Sequence, residues 1–218
     1  MSSDTRRPLG ALVLAFAVAI AVPTAALAGK SGSSRSIGSG TVISSVVDIV
    51  DPSCGYPTTQ AFKAFGDPAR YFLAPGGDAE SSRWAGAGGA SVVAGNGVLG
   101  TGSFSYGLPQ GASVTSGSFC VSLDSPTVRF SVKDPGVAGA VLRLDVLWTS
   151  PLGATVALPI STVFSGKPGV RLVDPSLMLT NLAALVGPGR TTSVSLRITA
   201  VRGPWQVDDV YVDPYKRV

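Results

Sequence analysis

The stretch VLRLDVLW, residues 141–148, decides the fold. Leu142, Leu144, Val146 and Trp148 fall on one side of an extended chain, and Arg143 and Asp145 on the other. Strict alternation of this kind is the mark of a strand with one face in a core and one in water. Two more runs repeat it. In TVRFSVK, residues 127–133, Val128, Phe130 and Val132 oppose Arg129, Ser131 and Lys133. In SVSLRIT, residues 193–199, Val194, Leu196 and Ile198 oppose Ser195, Arg197 and Thr199.

Further strands are expected at Ser91–Ala94, Ser103–Leu108, Ser118–Leu123, Ala154–Ile160, Val170–Val173 and Trp205–Val212. Many short strands between Gly, Pro, Asn and Asp turns specify an all-β chain, a two-sheet antiparallel β-sandwich. One short helix is expected near 177–186. Asp174-Pro175 reads as its cap and first-turn proline, Gly187 as its stop, and Met178, Leu182, Leu185 and Val186 as its apolar positions. It should pack against one end of the sandwich.

The first residues have a different character. Arg6 and Arg7 precede an apolar run from Leu9 to Val22, and Ala26-Leu27-Ala28 has the small-x-small form of a cleavage site. Residues 1–28 therefore read as a secretory signal peptide, the alternative being a retained membrane anchor. The run of about 14 residues is short for a span of ~20, and no other window reaches that length. Residues 29–50 read as a Gly/Ser-rich linker or disordered segment. Within it, TVISSVVDIV, residues 41–50, could add an edge strand. Residues 51–218 form the sandwich domain. The expected location is outside the cell. There Cys54 and Cys120 would form a disulfide, the alternative being two buried thiols.

Composition excludes several chemistries. The chain has no histidine, which removes Ser-His-Asp and Cys-His catalysis and the commonest transition-metal ligand. Glu80 is its one glutamate, and no second carboxylate marks a glycosidase pair. A non-enzyme is expected. The formal charge of +4 for the whole chain falls to about +3 without Asp4, Arg6 and Arg7. The remaining basic residues are scattered singly, so neither nucleic acid nor a membrane surface is an expected partner. GNGVLG, residues 95–100, fits the spacing of a nucleotide-binding glycine motif. The strand-like TGSFSYGL after it makes it a glycine-rich loop instead.

GPWQVDDVYVDPY, residues 203–215, holds the anomaly. Trp205 and Val207 fall in one strand row and Val210 and Val212 in the other, with the register changing at Asp208-Asp209. Either a bulge sits there or one aspartate points into the sandwich rim, where an unpaired charge is costly.

The W-x-[IV]-D-D-V-x-V pattern of this strand resembles the closing strand of jelly-roll carbohydrate-binding modules and galactose-binding-like domains. PGGDAESSRWAGAGGASVVAG, residues 75–95, is similar to their opening turn, with Ala79 where an aromatic is usual. From about Cys54 on, the chain also looks like small secreted proteins of high-GC Gram-positive bacteria. The module resemblance implies a jelly roll and a structural Ca2+ held by Asp78, Glu80 and Asp208, with Asp209 as a further candidate. Oxygen ligands suit that ion. A metal-free pair bonded to backbone and to Arg83 or Arg202 is the alternative.

The expected function is a secreted, non-catalytic binding protein of the envelope or exterior, with a polysaccharide as the first ligand class. The alternative is an envelope structural or protein-interaction domain without a sugar ligand. The outward residues Arg129, Arg143, Asp145 and Arg197 would form a basic polar ligand face if their strands share a sheet. Trp148 is expected in the core, and Trp84 and Trp205 as a packed pair. Tyr56, Tyr71, Tyr106 and Tyr215 are expected to be the exposed aromatics.

Overall fold

The computed structural model describes residues 54–216, apart from 81, 82, 96 and 151. The signal peptide, the 29–50 segment and its 41–50 strand lie outside the described residues. Thirteen strands are present among the described residues: β1 (Arg70–Leu73), β2 (Ala85–Ala87), β3 (Ser91–Ala94), β4 (Phe104–Leu108), β5 (Ser113–Thr115), β6 (Phe119–Ser122), β7 (Thr127–Asp134), β8 (Val141–Thr149), β9 (Thr155–Phe164), β10 (Gly169–Leu172), β11 (Ser176–Leu177), β12 (Thr191–Arg202) and β13 (Trp205–Lys216). They form two antiparallel sheets. The first runs β10-β7-β13-β4-β3, with β1 on β13 and β11 on β7. The second runs β2-β5-β12-β8-β9, with β6 on β12. The chain is the two-sheet sandwich that alternation specifies.

The three alternating runs become β7, β8 and β12, and each buries the row it was assigned. Val128, Phe130 and Val132 meet Leu142, Leu144, Val146, Val194, Leu196 and Ile198 in one core. Alternation buries an apolar side chain every second residue, and each stabilises the fold by about 1.5–3 kcal/mol. β12 and β13 are the central strands and follow one plan. Each keeps a long partner on one edge, β8 or β7, and two short partners in turn on the other. They are joined by a sheet-crossing turn in which Gly203 adopts φ 68. A Cβ there would also stand 2.7 Å from that of Ala140.

Cys54 and Cys120 are disulfide-bonded, Cα–Cα 5.6 Å, tying the start of the described chain to β6. The 177–186 helix is a 3-10 segment, Leu179–Leu185. Three residues per turn replace 3.6, which brings Met178, Asn181 and Ala184 inward, with Thr180 buried beside them. Leu182, Leu185 and Val186, expected inward at α-helical spacing, are exposed.

The aromatics are more buried than expected. Tyr71 and Tyr106 are in the core, and Tyr56 is half-buried and stacked on Phe72 at 4.7 Å. Tyr106 is held because its hydroxyl has partners: it donates to the Gly76 carbonyl at 2.7 Å and accepts from the Trp84 amide at 3.0 Å. Trp84 stacks on Tyr106 rather than pairing with Trp205. The Trp205 indole donates to the Arg202 carbonyl. Trp148 packs against the core, with its indole donating to Thr192 Oγ1.

Candidate functional site

Two charged constellations stand out, one on each sheet. The first is the aspartate pair. β13 changes partner from β4 to β1 at Asp208-Asp209, and its register against β7 slips there, Asp208 facing Ser131 and Tyr211 facing Arg129. Asp209 takes φ 52, a left-handed conformation that a bulge accommodates. The bulge is the resolution of the row anomaly. It lets Val207 and Val210 both enter the core while the carboxylates stay on the outer side of the sheet.

They are nevertheless buried, 2% and 1% exposed, because the loop residues 97–99 cover them. The Gly97 amide donates to Asp208 Oδ2 at 2.6 Å, and the Asp209 amide to Asp208 Oδ1 at 2.8 Å. Asp209 Oδ2 accepts from Ser131 Oγ at 3.1 Å and from the Leu99 amide at 3.4 Å. Gly97, Val98 and Leu99 of GNGVLG thus cover the pair. The glycine-rich stretch is a loop, as its sequence context predicts, but the sequence carries no signal for its contact with the aspartates. Gly97 is required by contact, since a Cβ there would run into Asp209 Oδ2 and the Ser131 side chain.

Burial, and next the charge of Asp209, raise the Asp208 pKa to about 7 against the amide bonds that favour its anion. Burial raises Asp209 as well, with the charge of Asp78 adding to it. Neither aspartate has an ion-pair partner among the described residues, whereas Asp67, Asp134 and Asp145 do. Asp78 lies close enough to act on both. Glu80 is turned away, accepting from the Ser103 and Phe104 amides at 2.5 and 2.7 Å. Among the described residues, no group of three or more His, Cys, Asp or Glu is gathered as a metal shell.

The second constellation lies on the outer face of the β2-β5-β12-β8-β9 sheet. Two cross-strand rows run over it. One is Ala85, Thr115, Arg197, Asp145, Pro159, and the next is Ala87, Ser113, Thr199, Arg143, Thr162. Asp145 points outward yet is 2% exposed, because two arginines close over it. Arg197 donates Nε and Nη2 to its Oδ2 at 3.2 and 3.0 Å. Arg143 donates Nη2 to Oδ2 at 3.2 Å, and its Nε stands 3.0 Å from Oδ1 as an ion pair without hydrogen-bond alignment.

Three of the four residues expected on the ligand face therefore converge. Arg129 does not. It is on β7 in the other sheet, where it binds Asp67 at 2.6 Å and lies over the Phe62 ring. Alternation says which side of its strand a residue takes, not which sheet the strand joins.

A groove of about 520 Å³ crosses the other sheet, lined by Val93, Gly107, Lys133, Pro168, Trp205 and Gln206. At its border Asp134 is buried, which alone would raise its pKa. Bonds from Ser165, Gly136, Gly166 and Arg171 outweigh that and hold it below the usual range.

No protein-family model and no curated protein matches the chain. Solved structures of similar shape exist. The xylan-binding CBM22-1 domain of Paenibacillus barcinonensis Xyn10C is 14% identical, with 63% of this chain and 89% of that one covered and a TM-score of 0.44. The C-terminal CBM6 of the Zobellia galactanivorans laminarinase LamC is 12% identical, with 62% and 95% covered and a TM-score of 0.42. The tandem CBM22-1-CBM22-2 of Xyn10C is 13% identical, with 66% and 44% covered and a TM-score of 0.46. Among the described residues no helix is long and apolar enough to cross a membrane.

Proposed function

We propose that the chain is an exported, non-catalytic glycan-binding protein whose ligand lies on the outer face of the β2-β5-β12-β8-β9 sheet. The observation that carries this reading is the pair of cross-strand rows. Ser113, Thr115, Thr162 and Thr199 present hydroxyls in register around two arginines. Polysaccharides are extended and rich in donors and acceptors, and a rigid strip of the same groups is complementary to them. A sheet also holds such groups more rigidly than a loop does. The missing histidine and the covered aspartate pair support a binding role over a catalytic one.

Affinity electrophoresis of the protein through gels with a panel of dissolved polysaccharides tests it. Retardation by at least one polymer is expected, together with loss of retardation in Thr115→Tyr, which places a bulky ring on the strip beside Arg197. Migration unaffected by every polymer would remove the glycan reading.

The proposal includes a structural calcium ion at the aspartate pair. Two buried carboxylates that repel each other and the Ser131 hydroxyl are oxygen donors of the kind a hard cation takes. Asp208 and Asp209 would hold it, and its charge would relieve the repulsion; Glu80 is engaged elsewhere. At pH 8, calcium should raise the Tm above its value in chelator, and an unchanged Tm would remove the ion from the proposal.

The alternative, an interaction domain without a sugar ligand, draws on β9. This edge strand carries no charge in ten residues and exposes Val156, Leu158 and Phe164, the features of a strand open to pairing with another chain. Association in solution without any glycan binding would favour it.

A further inference from the structure

We propose that the Arg143–Asp145–Arg197 clamp selects polysaccharides carrying carboxylate groups, so that the glycan bound on this sheet is a polyuronate. This rests on the glycan-binding reading above and specifies its ligand.

The two guanidinium groups are pre-positioned. Asp145 is directly opposite Arg197 across β8 and β12 and two residues from Arg143 on one strand, so all three share a side. The buried carboxylate accepts from Nε and Nη2 of Arg197 and from Nη2 of Arg143, with Arg143 Nε beside it as an ion pair. Neither Nη1 has a partner among the described residues, and the Arg143 and Arg197 side chains remain 41% and 33% exposed. An arginine already fixed by an internal anion loses less freedom on meeting an external one. The fork of donors left facing water matches a planar carboxylate.

The charge distribution agrees. Of the described acids, Asp134, Asp208, Asp209 and Asp213 are on strands of the other sheet, and Asp67 is bonded to it through Arg129. On β2, β5, β12, β8 and β9 the one acid is Asp145, and it is covered. With two arginines around one carboxylate, the clamp keeps a net positive charge. A neutral glycan would find hydroxyl partners here but leave the Nη1 edges unpaired. A uronate polymer supplies hydroxyls for Ser113, Thr115 and Thr199 and an anion for the arginines together.

The test is affinity electrophoresis or calorimetry with the intact protein against polygalacturonate, fully methyl-esterified polygalacturonate, a neutral xylan and a sulfated polysaccharide. Esterification keeps the backbone and removes the charge. Polygalacturonate binding should weaken at least tenfold on esterification and fall with added sodium chloride. The variant Arg143→Gln/Asp145→Asn/Arg197→Gln removes the clamp without leaving a buried charge unpaired, and it should lose the same factor. Lys133→Gln, on the opposite sheet, should keep wild-type affinity. If the triple variant does not fold by near-ultraviolet circular dichroism, the free and esterified polymers compared on the wild-type protein decide the assignment.

Equal binding of free and esterified polymer, equal binding of the sulfated polymer, or unchanged binding by the clamp variant would overturn the carboxylate assignment and leave glycan binding standing. Binding lost in Lys133→Gln would move the site to the other sheet and overturn it too. Binding of no polymer would overturn both readings.

Discussion

The Gly97 amide donates a 2.6 Å hydrogen bond to Asp208 Oδ2 across 111 residues of sequence. It closes a loop over two adjacent carboxylates on a central strand. The loop fits because Gly97 has no side chain, and the carboxylates are tolerated because loop amides and Ser131 satisfy them. Gly97→Ala should cost about 1–3 kcal/mol, the usual range for forcing atoms into a packed site. Gly117→Ala, with open space around it, should stay within about 0.5 kcal/mol. Urea denaturation of the two variants decides this, and equal stabilities would contradict the lid.

The same carboxylates should make stability depend on pH in an unusual direction. The folded Asp208 pKa is raised to about 7. A raised acid contributes stability that is fully present below the unfolded value near 3.8 and lost as pH rises through 7. Stability to urea should therefore fall by a few kcal/mol between pH 4 and 8 in chelator, and Asp208→Asn should flatten that slope. Asp134 acts oppositely: its lowered folded pKa removes stability as pH falls below about 3.8. The optimum should lie near pH 4. A curve rising from pH 4 to 8 in chelator would contradict the burial of Asp208.

Residues on the two sides of the 3-10 segment should differ sharply. Met178 is fully buried, whereas Leu182 is 53% exposed. Met178→Ala should cost about 2–5 kcal/mol and Leu182→Ala no more than about 0.5. Thermal melts of the pair check the three-residue period; a larger loss at Leu182 would restore the α-helical phase.

The Cys54–Cys120 bridge closes a separation of 66 residues. Cys54→Ser/Cys120→Ser should lower stability by about 4 kcal/mol on the chain-entropy account. The measurement is guanidinium unfolding with and without reductant. Reductant should shift the wild-type midpoint and leave that of the variant in place.

Much of this was legible along the chain. Alternation in VLRLDVLW, TVRFSVK and SVSLRIT assigned the core rows of β7 and β8 and, Ala200 apart, of β12, because a strand's two faces meet different solvents. Ala85–Ala87 and Ser113–Thr115 were not recognised as strands, since three residues cannot display a period of two. Arg143 and Asp145 could be seen to share a side, being two apart on one strand. That Arg197 closes over Asp145 depends on the register of β12 against β8. That Arg129 belongs elsewhere depends on which sheet β7 joins.

By itself the sequence determined the class of fold, the side each alternating residue takes, the absence of histidine chemistry and the place where β13 must break its rows. Those are properties of neighbours along the chain, carried by local geometry and residue type. Only the tertiary structure decided that Gly97 and Leu99 cover the aspartates, that Glu80 serves Ser103 and Phe104, and that Arg197 closes over Asp145. Each joins residues more than 20 positions apart or in different strands, and such pairings are set by the collective packing of two sheets.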